Sequence, residues 1–441
     1  MAKINQALRY FWLRMIKPFL EITGKQLQGT LSVPPSKSMM QRVLAITLMR
    51  NSNLEIVNPG FSEDDQVMLK ILANAGYRFK SKANGSLSLI APELQRLPNA
   101  IHFGESGLAS RMLIPILSLF NQEFELSGDA PLNRRPMPFL RKELPSLGVQ
   151  VSPNDGYLPV HIHGPLKAID LDYDGSLGSQ FLSGLIIAYG YIITKETHIR
   201  VHQLKSKPYI DMTLKVMDDL NLNFPDHEDY QDFSFFPSSI PVRQLLRYEI
   251  EGDWSAAAFW LVAGTKHGPV TVRGIDCFST QADRAILLAL MDAGANISVE
   301  QNQVTVRPSK LNAFHFNAID CPDLFPPLAV LATFAEGTSV IAGIGRLIHK
   351  ESNRASTIQT EFQKMGVEVT LQDDLMIIKG APIQAAALDA HGDHRIAMMG
   401  AIAALGTEGI MSISGYSCVA KSYPDFFKDY QKLGGKLVYS E

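Results

Sequence analysis

The chain predicts an α/β (α+β) fold of two domains, each assembled from three copies of one unit. Three observations carry this: a repeat of about 70 residues, one helix per repeat that is apolar nearly all round, and a polar break near the middle of the chain.

The repeat comes first. Six segments share one plan: LSVPPSKSMMQRVLAITLM, AIHFGESGLASRMLIPILSLF, IDLDYDGSLGSQFLSGLIIAY, YEIEGDWSAAAFWLVAGT, AIDCPDLFPPLAVLATF and LDAHGDHRIAMMGAIAAL. Each joins a strand-like run to an apolar segment through a tight turn of Gly, Ser, Asp or Pro. The turns centre on Ser36, Ser106, Gly178, Asp253, Asp323 and Asp393, so the steps are 70, 72, 75, 70 and 70 residues. Helices without a polar face are buried ones. More polar stretches between them, such as PYIDMTLKVMDDLNL and ASTIQTEFQKMGVEVTL, predict an outer helix in each unit.

The break follows FPSSIPVRQL. It divides the chain into residues 34–246 and 247–441, three units each. Residues 1–33 form an extension and a strand that crosses to join the second domain. The segment MAKINQALRYFWLRMIKPF has Lys3, Arg9, Arg14 and Lys17 and no acid before Glu21. It lacks the continuous apolar stretch and small-residue cleavage site of a secretory signal, and is read as a frayed extension.

With 441 residues and 46% hydrophobic content the chain can fill two cores. A net charge of −3 disfavours a broadly basic nucleic-acid binder, so anion binding has to be a local property. The three cysteines, Cys277, Cys321 and Cys418, are few and widely spaced, which fits a reducing cytoplasm and no disulfide framework. Apolar runs such as LIIAYGYIIT are too short to span a membrane. No GxGxxG follows a strand and no GxxxxGK[ST] occurs, so neither a dinucleotide nor a Walker-type ATP site is supported. HGDHR (His391, Asp393, His394) lacks a third partner at metal-ligand spacing, and no metal is expected there. His161 and His163 alternate along a strand face and are read as structural.

The six turns carry the chemistry. A helix start offers free N–H groups and the positive end of a dipole, a ready anion site. Cations there are unfavourable alone and make sense when an anion is the third party. The first three turns supply Ser36, Lys37, Ser38 and Arg42, then Gly107 and Arg111, then Ser179 and Gln180; the last three supply Asp253, Asp323 and Asp393. Further cations follow at Arg134, Arg135, Lys207, Lys350, Arg354, Arg395 and Lys421. One half reads as phosphate and hydroxyl binding. The other supplies carboxylates, which stay ionised among cations and can act as bases.

From about Gly29 onward these motifs together resemble the 3-phosphoshikimate 1-carboxyvinyltransferase (EPSP synthase) family. SKSMMQR resembles its SKSxxxR, GDAPLNRRPM its GDxxLxxRPM, KESNR its KESDR and GDHRIAM its NDHRxAM; SKPYIDMT and AKSYPDFF match as well. The resemblance implies two inside-out α/β barrel domains, each of three βαβαββ units, with the substrate cleft between them. It implies phosphoenolpyruvate and shikimate 3-phosphate as substrates, no metal or organic cofactor, no nucleic-acid or membrane partner, a monomer, and a cytoplasmic location. Carried over by position, Lys37, Ser38 and Arg42 are substrate ligands, with Lys37 touching both substrates. Ser179, Ser206 and Lys350 hold the phosphoshikimate, with Tyr209 nearby. Gly107, Arg135, Gln180, Arg354, Arg395 and Lys421 grip phosphoenolpyruvate, and Arg111 of the second turn is a further substrate-binding candidate. Asp323 accepts the hydroxyl proton, Glu351 donates to the methylene, and Asp393 orients neighbouring cations.

Several residues depart from the family pattern. Glu105 and Leu108 stand where Asn and Thr are usual, and Leu108 is expected to narrow the space for the inhibitor glyphosate beside Gly107. Gly178 replaces Ser or Ala, Trp254 a small residue, Arg346 a neutral one and Gly392 an Asn. These departures motivate one alternative, a non-catalytic anion-binding homologue. A second alternative, a UDP-N-acetylglucosamine enolpyruvyl transferase, uses a cysteine in its first half, and here none precedes Cys277.

Overall fold

The computed structural model describes residues 18–24, 26–238, 245–348 and 350–440. Most of the expected N-terminal extension, residues 1–17, lies outside the described residues.

The six apolar segments form six buried helices: α1 (Lys37–Arg50), α2 (Gly107–Leu117), α3 (Gln180–Ile192), α4 (Trp254–Ala263), α5 (Phe325–Phe334) and α6 (His394–Ala403). Every residue of α6 is buried, as is every residue of α4 except Ser255. Their lack of a polar face leaves them no stable place except inside a core. Outer helices at Glu63–Asn74, Pro208–Asp219 and Arg354–Lys364 bury only one side.

Around them lie six four-stranded sheets, all built alike. Each has one parallel pair followed by two antiparallel pairs. In one, Ala100–His102 runs parallel to Glu123–Ser127, which pairs antiparallel with Val160–His163, and that strand with Gln150–Val151. The uniformity is the structural basis of the repeat.

Three sheets are completed by exchange between the halves. Gly29–Ser32 runs parallel to Val270–Arg273, so the strand before Val33 joins the second half, and Phe19–Gly24 pairs with Met411–Ser414 and Lys436–Ser440. In return, Leu245–Glu249 runs parallel to Asn53–Val57 of the first half. The expected division at residue 247 falls inside that strand. One hydrophobic core runs from Met39 to Ile250; the other joins Leu20, Ile22, Leu27, Leu31 and Val33 to residues from Trp254 to Leu433. The chain therefore passes between cores after Ile250. The two crossings lie side by side, with Ser36 N–H donating to the Glu251 carbonyl (2.8 Å) and Asp253 N–H to that of Pro34 (2.8 Å).

Five helices start where the turns predict, N-capped by Ser36, Ser106, Ser179, Asp253 and Asp393. The fifth turn differs. A short 3₁₀ turn, Pro322–Leu324, precedes α5, so Asp323 caps nothing and its carboxylate is free for other partners.

Candidate active site

One cleft of about 440 Å³ lies between the two halves and takes walls from both. It brings together Lys37, Ser38 and Arg42 at the start of α1, Gly107 and Arg111 on α2, and Arg135. It adds Ser179 and Gln180 at α3, then Ser206 and Tyr209, and from the second half Asp323, Lys350, Glu351 and Arg395. Nine Lys and Arg side chains line it against seven Asp and Glu, a positive region in a chain of net charge −3. Arg354, Asp393 and Lys421 do not line this space.

On the first-half wall two arginines carry their charge without a carboxylate. Arg42 is 1% exposed. It donates to Thr213 Oγ1 (2.8 Å), Ser183 Oγ (3.3 Å) and the carbonyls of Ser38 (2.8 Å) and Tyr209 (3.1 Å). Arg111 donates to the carbonyls of Gly107 and Pro136 (3.3 Å each) and to Gln180 Oε1 (3.5 Å). Burial pushes both guanidinium groups down to about 10, and Arg135 adds repulsion at Arg111. An uncompensated buried charge is costly, so both positions favour an incoming anion. Two helices there lack a side-chain cap from their own first residue, Ser36 or Ser179; at α1 the Lys37 N–H donates instead to Asp253 Oδ2 (3.3 Å).

Gly107 leaves room for two arginines at the second turn: a β-carbon there would lie 2.7 Å from Arg135 Nη1 and 2.9 Å from Arg111 Nη1, so a side chain would push both guanidinium groups off the helix start.

The second-half wall is a closed ion network. Asp323 accepts from Lys350 (3.1 Å), Arg354 (2.8 Å) and Arg395 (3.1 Å). Glu351 pairs with Arg354 (2.6 Å) and with Arg135 across the cleft (3.4 Å). Asp393 takes Arg354 Nε (2.9 Å) and Nη2 (3.1 Å) and the Arg395 N–H (3.0 Å). Burial alone would raise both Asp323 and Glu351. Arg395, Lys350 and Arg354 outweigh it at Asp323, and Arg135 and Arg354 at Glu351, so both are held well below the ordinary carboxylate range.

Arg354, expected to grip phosphoenolpyruvate, is fully buried, with its donors on Asp323, Glu351 and Asp393. It sets the positions of the carboxylates. Lys37 likewise meets a partner the sequence did not suggest: Asp64, at 2.8 Å. Burial works against the ammonium, but Asp64 more than compensates and holds it above its ordinary value.

The departures find partners. Glu105 forms an ion pair with Lys421 across the halves, which relieves its repulsion of an anion and ties up that lysine. Lys421 also donates to the Gly392 carbonyl (2.8 Å), and Gly392 has φ +68°, a conformation that Asn also tolerates. Trp254 turns away from the cleft into the second core, its indole N–H on the Asp276 carbonyl (3.0 Å). Leu108 lines the cleft beside Gly107.

Sequence reasoning missed Asp64, which sits in an ordinary acidic helix start, and His394, read only as a metal candidate. His394 is 1% exposed, lines the cleft, and neither ring nitrogen has a partner. Burial and then Arg395 keep it neutral.

Paired cores, helix starts facing one cleft and a carboxylate pair among cations define an enzyme of two hydrophobic cores that handles small anionic substrates. Residues 22–430 match the family EPSP synthase (3-phosphoshikimate 1-carboxyvinyltransferase), and the chain belongs to it. It is 33% identical over 424 residues to the 3-phosphoshikimate 1-carboxyvinyltransferase of Clostridium kluyveri, covering 95% of this chain and 98% of that one. It is 34% identical over 409 residues to that of Thermococcus kodakarensis, covering 92% and 98%. Among solved structures, an EPSP synthase from Acinetobacter baumannii superposes with a TM-score of 0.80 at 25% identity, over 96% of this chain and all of that one. The enolpyruvyl transferase NikO from Streptomyces tendae, at 21% identity and a TM-score of 0.75, shares the fold.

Proposed function

We infer that this chain transfers the enolpyruvyl group of phosphoenolpyruvate to the 5-hydroxyl of shikimate 3-phosphate, releasing phosphate, as a step of the shikimate pathway to aromatic amino acids. The observation that supports this most is the meeting, in one cleft, of uncompensated Arg42 and Arg111 with the ionised pair Asp323 and Glu351. Two substrates that each bring a phosphate and a carboxylate supply the missing anions.

Shikimate 3-phosphate binds between Arg42, Lys350, Ser179 and Ser206, with Tyr209 beneath Arg42. Phosphoenolpyruvate binds against Gly107, Arg111, Arg135, Gln180 and Arg395. Lys37 lies between the two substrates, and Lys421 swings from Glu105 to the second. The 5-hydroxyl oxygen bonds to C2 while its proton passes to Asp323, and the C3 methylene takes a proton from Glu351 to become a methyl group. Phosphate then leaves C2 as a methyl proton returns to the enzyme, restoring the double bond. Glu351 is ionised before substrates arrive because Arg135 and Arg354 hold it so. An anion that draws Arg135 away and adds negative potential raises its pKa, and so prepares the acid only when phosphoenolpyruvate is present. Asp323 keeps three cationic partners and remains the acceptor.

In the finer reading, the six units form two inside-out barrels of three βαβαββ units each, and the protein is a cytoplasmic monomer without metal or organic cofactor. The test is phosphate release from phosphoenolpyruvate with and without shikimate 3-phosphate. Release that requires both substrates is expected. Binding of both without release would favour a non-catalytic homologue.

A further inference from the structure

Arg346 and Gly178, two separate departures in the sequence, meet in the structure. Arg346 lies in the 3₁₀ turn Ile344–Leu347 of the second half. Its guanidinium crosses to the turn before α3 and donates to the carbonyls of Ser176 (3.3 Å) and Leu177 (3.0 Å). A β-carbon on Gly178, which has φ +123°, would lie 2.7 Å from Arg346 Nη2. Ser or Ala at 178 would press on this arginine, so glycine at 178 and arginine at 346 fit each other.

Arg346 Nη2 also donates to Ser206 Oγ (3.2 Å). That serine has φ +62°, and the second half holds its turn in place: Asp320 accepts from the N–H groups of Ser206 (2.7 Å) and Lys207 (3.2 Å). With Oγ accepting from Arg346, the Ser206 O–H remains a donor. Arg346 Nε is buried and has no partner, and no carboxylate pairs with Arg346 among the described residues. The acids that face it, Asp323 and Asp320, act from a distance, and burial disfavours its charge. A cleft-lining guanidinium bonded to Ser206 and to the turn just before Ser179, with no paired carboxylate and its Nε unused, is a site for a phosphate monoester.

We propose that Arg346 reads the 3-phosphate of the shikimate substrate, so that recognition of this group requires both halves of the molecule. The proposal rests on the transfer reading above. The second half delivers a cation to a turn built by the first. A mere latch between the halves would serve phosphorylated and unphosphorylated ligands alike. A phosphate reader separates them.

The experiment measures inhibition or affinity constants for shikimate 3-phosphate and for shikimate on the full chain, for wild type, Arg346→Gln, Arg346→Lys and Gly178→Ala. Arg346→Gln is expected to weaken shikimate 3-phosphate roughly 30-fold, the scale of a charge-assisted hydrogen bond, and shikimate by less than about 3-fold. The KM for phosphoenolpyruvate stays within about twofold at saturating shikimate 3-phosphate. Arg346→Lys recovers part of the loss, and Gly178→Ala shifts selectivity in the same direction as Arg346→Gln. Equal losses for both ligands, or no loss, overturn the proposal. Wild type that releases no phosphate from the substrate pair refutes the transfer reading itself. Wild type that turns over while Arg346→Gln and Arg346→Lys keep full selectivity refutes only the role of Arg346.

Discussion

Arg42 and Arg354 are both fully buried arginines at one cleft, yet their surroundings are opposite. Arg42, in the first core, donates to two hydroxyls and two carbonyls. Arg354, in the second, meets three carboxylates. Arg42 is short of negative charge and gains it when substrate binds. Arg354 is neutralised in advance, and with its neighbours it holds Asp323 and Glu351 ionised. The difference separates two jobs: cations without carboxylates attract the anions, and paired carboxylates are kept ready to move protons.

Substitutions should therefore act differently on the two sides. The largest effect is expected at Asp323. Asp323→Asn removes the acceptor and should lower kcat by about 10³-fold in a phosphate-release assay, with shikimate 3-phosphate still bound. A loss confined to KM would move Asp323 from chemistry to binding. Next is ligand-free stability. Arg354→Met takes from the buried Asp393 its salt-bridge partner and from Asp323 and Glu351 one cation each, and should cost about 3–5 kcal/mol in denaturant unfolding. Arg42→Met should change it by no more than about 1 kcal/mol, because its acceptors keep each other: Thr213 Oγ1 still donates to the Tyr209 carbonyl (2.8 Å) and bonds Ser183 (3.0 Å).

A smaller effect is expected where the walls touch. Glu105 holds Lys421. Glu105→Gln frees that lysine and should lower the KM for phosphoenolpyruvate about threefold, the scale of a partly exposed ion pair. A raised KM would mean that Glu105 positions Lys421 instead of occupying it.

The smallest effect concerns pH. Asp283, buried against Ser255 near Asp323, is pushed up to about 7 by burial and by Asp323. The folded form binds this proton more tightly than the unfolded chain does. The resulting stability is full below the ordinary Asp value and is lost as pH rises through about 7. Asp283→Asn should flatten unfolding free energy across that window. Asp323 has the opposite sign: its depressed pKa gives stability that is present above the ordinary value and lost as pH falls below it.

How much of this was readable in the sequence follows the same division. The repeat predicted all six buried helices, because an apolar segment behind a polar turn reports burial directly. The turns placed most cleft residues. The strand exchange was seen on one side only, since Leu245–Glu249 alternates like any strand and nothing local marks its partner. The partners of Arg354 were hidden for a related reason. Its motif says that it belongs to the site, whereas its role depends on where Asp323, Glu351 and Asp393 converge in three dimensions. Asp64 and the Gly178–Arg346 pair needed the structure because their partners lie 27 and 168 residues away.

The most direct test of the two-wall account is the stabilisation that shikimate 3-phosphate confers on wild type, Arg42→Met and Arg354→Met, measured by thermal unfolding at matched ligand concentration. The account predicts that Arg42→Met unfolds near the wild-type temperature without ligand and loses most of the ligand-induced rise, while Arg354→Met starts well below wild type. Arg42→Met that is as destabilised as Arg354→Met without ligand, yet still gains the full rise, would contradict it.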